Sequence, residues 1–123
     1  MKALVIRPYC HPVVEELPDL KAMQECVGGY IQAIYPWPGV EAALVCDEEG
    51  LYHDASWNRY ICDGVAIKGT FFICSLGEEN FEDLPEDLLE RFRKEFHEPE
   101  VFLRTQNGIA VMNIHGMKAF IRC

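Results

Sequence analysis

The chain has 123 residues, with 20 acidic side chains against 11 Lys and Arg and a formal net charge of −9. Half of its residues are apolar and a quarter are charged, which excludes a disordered chain and suits one ordinary core, whereas two independent domains would each be cramped. The acid excess excludes a broad basic face for duplex DNA or for an anionic membrane.

From the N-terminus, the alternating, branched stretch that starts at Lys2 predicts a strand ended by Pro8, and Val13 to Leu17 predicts a short second one. Asp19 can cap a helix whose apolar residues Leu20, Met23 and Val27 recur at three- and four-residue steps. Gly28-Gly29 then supplies its left-handed stop. Strands follow at Tyr30 to Tyr35 and Glu41 to Cys46, separated by a stiff Pro36-Trp37-Pro38-Gly39 turn. Leu51 to Tyr60 has no clear period, and a short helix is expected over Ser56 to Ile61. After an Asp63-Gly64 turn, Val65 to Cys74 predicts one strand interrupted by Gly69.

Asp83 and Glu86 have the spacing of a capping box, and Leu84, Leu88, Phe92 and Phe96 repeat every four residues until Pro99. The tail predicts strands at Val101 to Arg104, Ile109 to Ile114 and Lys118 to Ile121, turned at Asn107-Gly108 and His115-Gly116. Strands and helices intermix without βαβ alternation. The expected fold is therefore α+β, a single domain over 1–123. It has a mainly antiparallel sheet, two principal helices at about 19–27 and 84–97, and a C-terminal β-meander.

Six cysteines stand at positions 10, 26, 46, 62, 74 and 123. Met1 to Ile6 does not have the form of a secretory signal, and no apolar run nears the ~20 residues that span a bilayer. Reduced thiols and a cytoplasmic location are expected. Close ligand pairs of the zinc type are missing. Cys10-His11 and His53-Asp54 are adjacent residues, which an extended chain points to opposite sides. No metal or cofactor is expected. Cys10 beside His11 is the one pairing of a thiol with a base. Gly28-Gly29 follows a helix, where carbonyls rather than amides are free, so it reads as a cap and not as a phosphate cradle.

A smaller polar set stands out: Arg7, Tyr30, Gln32, Asn58, Arg59, Lys68 and Thr70. Each lies in or beside an apolar segment. Gly69 between Lys68 and Thr70 lets a ligand or another backbone approach closely. Cations, amides and rings together suit a small anionic ligand that carries a ring. The acids divide unevenly: residues 78–100 hold ten of them against three bases, so the rest of the chain is near neutral.

An ordered series of short runs is also familiar. It comprises Leu20-x-x-Met23-Gln24-x-x-Val27-Gly28-Gly29-Tyr30-Ile31-Gln32, then Cys46-Asp47-Glu48-Glu49-Gly50, Asn58-Arg59, and Ile67-x-Gly69-Thr70-Phe71-Phe72-Ile73. Phe81, the acidic helix and Glu98-Pro99-Glu100 complete it. From about Lys2 to Glu100 the chain resembles a family from phages, mobile elements and gut Firmicutes, catalogued as domain of unknown function 3846. Members of that family often carry Glu where this chain has Gln32. The resemblance implies a cytoplasmic accessory role and supplies no activity, catalytic residue or cofactor.

The leading expectation is a small non-enzymatic accessory protein of phage or mobile-element type. It would bind an anionic, nucleotide-like ligand or signal through the polar set, as a counter-defence or regulatory factor. The alternative is an acidic module of nucleic-acid-mimic type that binds or inhibits a host protein through Glu79, Glu82, Asp87 and Glu90. An enzyme built on Cys10 and His11, or on a dispersed pair of acids, ranks third, and an edge strand of the tail offers a route to a homodimer.

Overall fold

A computed structural model of the protein describes residues 1–51 and 55–122; the His53-Asp54 pair and Cys123 lie outside them. In chain order the elements are β1 (Lys2–Ile6), β2 (Val13–Glu16), α1 (Leu20–Val27), β3 (Ile31–Ile34), β4 (Ala42–Asp47), β5 (Trp57–Cys62) and β6 (Val65–Lys68). Then come β7 (Phe71–Leu76), β8 (Phe81–Glu82), α2 (Glu86–Glu95), β9 (Val101–Thr105), β10 (Gly108–Asn113) and β11 (Gly116–Arg122). Among the described residues, two helices and mostly antiparallel strands make the protein α+β, as the sequence predicts.

The main sheet runs β2-β1-β7-β4-β3, with β8 paired to β7. Its central strands are buried on both faces, which is why they read as continuous apolar runs. Leu4, Ile6, Leu44, Phe71 and Ile73 face Leu84, Leu89, Phe92 and Phe96 of the α2 region. Ala3, Val5, Ala43, Val45 and Phe72 face the other way, toward Leu17 and Val27 at the α1 side. The α2 stripe is extended by Trp37, whose ring centroid lies 4.3 Å from that of Phe92. Among the described residues no helix is long and apolar enough to cross a membrane.

Asp19 caps α1 as expected, accepting a 2.8 Å bond from the Ala22 amide, and Gly28 ends the helix at φ +84°. Three expectations need correction. Residues 56–61 do not form a helix. Asp63 and Gly64 both have positive φ, a tight turn that folds β5 back onto β6 as a hairpin. The expected single strand over Val65 to Cys74 is two strands in two sheets, because Gly69 turns the chain at φ +76°. Finally, α2 starts at Glu86 and ends at Glu95, inside the expected 84–97. Pro85 is its N-cap residue, with no side-chain capping bond. The expected capping box does not form, since the Asp83 carboxylate accepts from the Lys2 amide at 2.7 Å instead.

β9, β10 and β11 form the separate three-stranded meander expected of the tail. Phe102 stacks on Trp57 at 5.2 Å, and Val111 is fully buried. Five cysteines, at 10, 26, 46, 62 and 74, are free.

Candidate functional site

The predicted polar residues do not gather in one place. Asn58 and Arg59 are both fully buried, although neighbours on a regular strand face opposite ways. A register irregularity in β5 between Trp57 and Arg59 allows this. The Asn58 amide donates to the carbonyls of Ile6 and Gly69, each at 2.8 Å. The Arg59 guanidinium donates to the carbonyls of Phe96 at 3.0 Å and Cys10 at 2.6 Å, and to Asn58 Oδ1 at 2.8 Å. Burial pulls its pKa below the usual arginine value. These donors supply carbonyls where α2 ends and where the loop after β1 passes.

Arg7 makes two bonds to Glu15, at 2.5 and 3.0 Å. That pairing raises the Arg7 pKa and lowers that of Glu15. Thr70 is half-buried in the link between β6 and β7. The Cys10-His11 pair also separates by role. Cys10 is exposed, whereas the His11 ring stacks on His97 at 4.4 Å with Nδ1 2.7 Å from the His97 carbonyl.

The other three predicted residues, Tyr30, Gln32 and Lys68, line two concavities that meet at Asp47. One, of about 420 Å³, is bordered by Lys21, Gln24 and Glu25 of α1, by Gly28, Gly29 and Tyr30, and by Asp47 and Glu49. The second, of about 230 Å³, lies between β4 and β6 and includes Gln32, Cys46, Asp47, Glu48, Ile67 and Lys68. Tyr30 is 73% exposed beside the first. The Lys68 ammonium sits 4.9 Å from the centre of the Trp57 ring, which holds it at the second.

Backbone geometry packs Asp47 tightly into this junction. Its Oδ1 accepts from the Glu49 amide at 3.0 Å, and its carbonyl accepts from the Gly50 amide at 3.1 Å. The Glu48 amide reaches the Tyr30 carbonyl at 2.8 Å. A Cβ on Gly29 would stand 2.6 Å from Asp47 Oδ1, and one on Gly50 would stand 3.3 Å from the carbonyls of Asp47 and Lys68. The second glycine of the pair after α1 therefore makes room for a carboxylate, while the first supplies the helix stop. Cys46 lies beside Asp47, and burial pushes its thiol up to about 11, so it lines the groove as a neutral group.

The junction offers more acids than bases, with Lys21 on one side and Lys68 on the other. The C-terminus of α1 adds the negative end of a helix dipole. The larger concavity thus offers acceptors beside the exposed Tyr30, and Lys68 supplies a cation at the smaller one. Lys21, Gln24, Glu25 and Asp47 were absent from the sequence-based set. Lys21, Gln24 and Glu25 carry the ordinary polar signature of a helix surface, and Asp47 that of a turn.

Fold and site together define a small α+β protein with an open cleft at the end of a buried antiparallel sheet. The chain belongs to the family described as domain of unknown function DUF3846, whose profile matches residues 1–97. That match bears out the resemblance and leaves the meander beyond it. No curated protein and no solved structure matches the chain.

Proposed function

We propose that the protein is an accessory binding protein that captures a nucleotide-like ligand in the cleft around Asp47. One observation carries this reading. Parts of three runs that carry the family resemblance, Gly28 to Tyr30, Cys46 to Gly50 and Ile67, meet there from separate parts of the chain. The base or another donor-bearing ring lies on Tyr30 and presents its amino groups to the acid-rich side. The anionic group lies toward Lys68 and Gln32. A polyanion fits the lining poorly, so the ligand carries few charges. A counter-defence or regulatory role of phage or mobile-element type follows if that ligand is a signal.

The test is thermal denaturation with a panel of nucleosides, mononucleotides, cyclic nucleotides and ADP-ribose-type nucleotides. A ligand at about 100 times its Kd adds about 2.7 kcal/mol of stability. A rise in Tm that Tyr30→Ala and Lys68→Ala abolish is the expected result. No shift with any of these compounds defeats the proposal.

A second reading rests on the acidic surface. Glu78, Glu79, Glu82, Asp83, Glu86, Asp87 and Glu90 are all exposed, and this face suits a basic host protein. If it binds one, neutralising Glu79, Glu82, Asp87 and Glu90 together ends capture of that protein; unchanged capture counts against it.

A further inference from the structure

The two outer strands of the main sheet are built differently. β2, at one end, is a four-residue strand between Pro12 and Pro18 that carries Glu15 and Glu16. Short length, proline and charge are what keep an edge from pairing with another chain. β3, at the other end, lies within residues 26–40, which hold no charged side chain. It pairs with β4 from Ile31 to Ile34 without a bulge. Among the described residues the other edge strands, β5, β6, β8, β9 and β11, each carry a charge.

Hydrogen bonding shows what the β3 edge presents. The Glu48 amide donates to the Tyr30 carbonyl, so the backbone of Tyr30 is turned toward β4. Such positions recur at every second residue of an antiparallel strand. Gln32 and Ile34 therefore bond to β4, and Ile31, Ala33 and Tyr35 turn their N–H and C=O groups outward. Pro36 falls in the inward phase, so its missing N–H takes no donor from the outer edge. Among the described residues no backbone group pairs with Ile31 or Ala33 on that side.

A row of outward donors and acceptors is completed by an extended strand, and a second copy supplies one. A two-fold axis through Ala33 sets Ala33 opposite Ala33 of the second copy and Ile31 opposite its Tyr35. The outward groups of all three residues are then paired, with the smallest side chain on the axis. Tyr35, 58% exposed, gains Ile31 of the second copy as a cross-strand neighbour. Edge guards act against pairing between copies of one chain, and their loss at β3 alone selects the second copy as the occupant.

We propose that the protein forms a two-fold dimer in which β3 of each copy pairs antiparallel with β3 of the other, making one continuous sheet. That sheet ends in a guarded β2 on both sides, so association stops at two chains. The contact lies in the main sheet and not in the tail, and it stands independently of ligand capture in the cleft.

Light scattering after gel filtration, over the micromolar range, tests it together with amide hydrogen exchange read by nuclear magnetic resonance. The wild-type chain is expected at the mass of two chains. The amides of Ile31 and Ala33 are expected to exchange slowly in the dimer and faster on dilution, while those of Gln32 and Ile34 stay protected throughout. Ala33→Pro removes an outward N–H and no bond to β4, and is expected at the mass of one chain. Should that variant fail to fold, Gln32→Glu changes only charge at an exposed position. It sets like charges on diagonal neighbours across the axis and weakens the dimer several-fold, with far-UV circular dichroism and cooperative melting as in the wild type. A wild-type chain at single-chain mass throughout the range overturns the proposal. So does a dimer in which Ile31 and Ala33 exchange freely, or one that Gln32→Glu leaves equally strong.

Discussion

Two polar regions lie within a few residues of each other in the β5–β6 hairpin and have opposite fates. On β5 Asn58 and Arg59 are sealed inside, with donors aimed at the carbonyls of Ile6, Cys10, Gly69 and Phe96. Glu100 joins them from the far side of the junction, accepting from the Tyr60 amide at 2.7 Å and from Lys118. On β6 Lys68, paired across from Trp57, rests on that ring and borders open space next to Asp47. The difference is the supply of unpaired backbone. Where α2 ends and the loop after β1 passes, carbonyls need donors, and a buried arginine provides them. Where strands and turns already pair their own backbone, polar side chains are not called inward to cap it.

The largest effect that would break this contrast comes from the sealed region. Arg59→Leu strands several buried acceptors and is expected to cost about 2–5 kcal/mol, read as a lower denaturant midpoint. A loss under about 0.5 kcal/mol, as is normal for a surface site, contradicts the assignment. Next comes Gly29→Ala, which drives a methyl group into the Asp47 carboxylate. It is expected to cost about 1–3 kcal/mol, as overpacking does, and to disturb the cleft.

Tyr30→Ala should sharpen the contrast from the other side. Its stability should change by less than about 0.5 kcal/mol, while the ligand-induced rise in Tm disappears. The smallest effect belongs to Arg7. The hydrogen bond from Arg7 holds its partner Glu15 at a folded pKa below the ordinary glutamate value of 4.5. The stabilisation is thus present above that value and fades as pH falls through the lower, folded pKa. Both side chains are substantially exposed, at 42% and 33%. Arg7→Met should therefore cost only about 0.2–1 kcal/mol at neutral pH, and the gap to wild type should close in acid.

Much of the fold was legible because local signals agreed with tertiary packing. Asp19, the Gly28 stop and the apolar stripe of α2 act within a few residues of themselves. β5 was not legible. Its register irregularity turns Asn58 and Arg59 inward together, so the two-residue alternation that marks a strand is missing. The α2 start was misplaced because a distant backbone amide, that of Lys2, took the carboxylate of Asp83. For the site, the sequence picked out Tyr30, Gln32 and Lys68 by their polar character in apolar surroundings. It could not separate them from Asn58 and Arg59, which have the same local signature and face carbonyls. Asp47 was hidden because an acid before Glu-Glu-Gly reads as a solvated turn, and only the approach of Gly29 shows that it is packed.

The central claim is that ligand capture occurs at Asp47 and not at Arg59. Nuclear magnetic resonance titration of isotope-labelled protein with the nucleoside and nucleotide panel tests it most directly. The account predicts concentration-dependent shifts at the amides of Gly28, Gly29, Tyr30, Asp47 and Lys68, with those of Arg59 and Phe96 unmoved. Shifts centred on Arg59 and Phe96, or no shift with any compound of the panel, would contradict it.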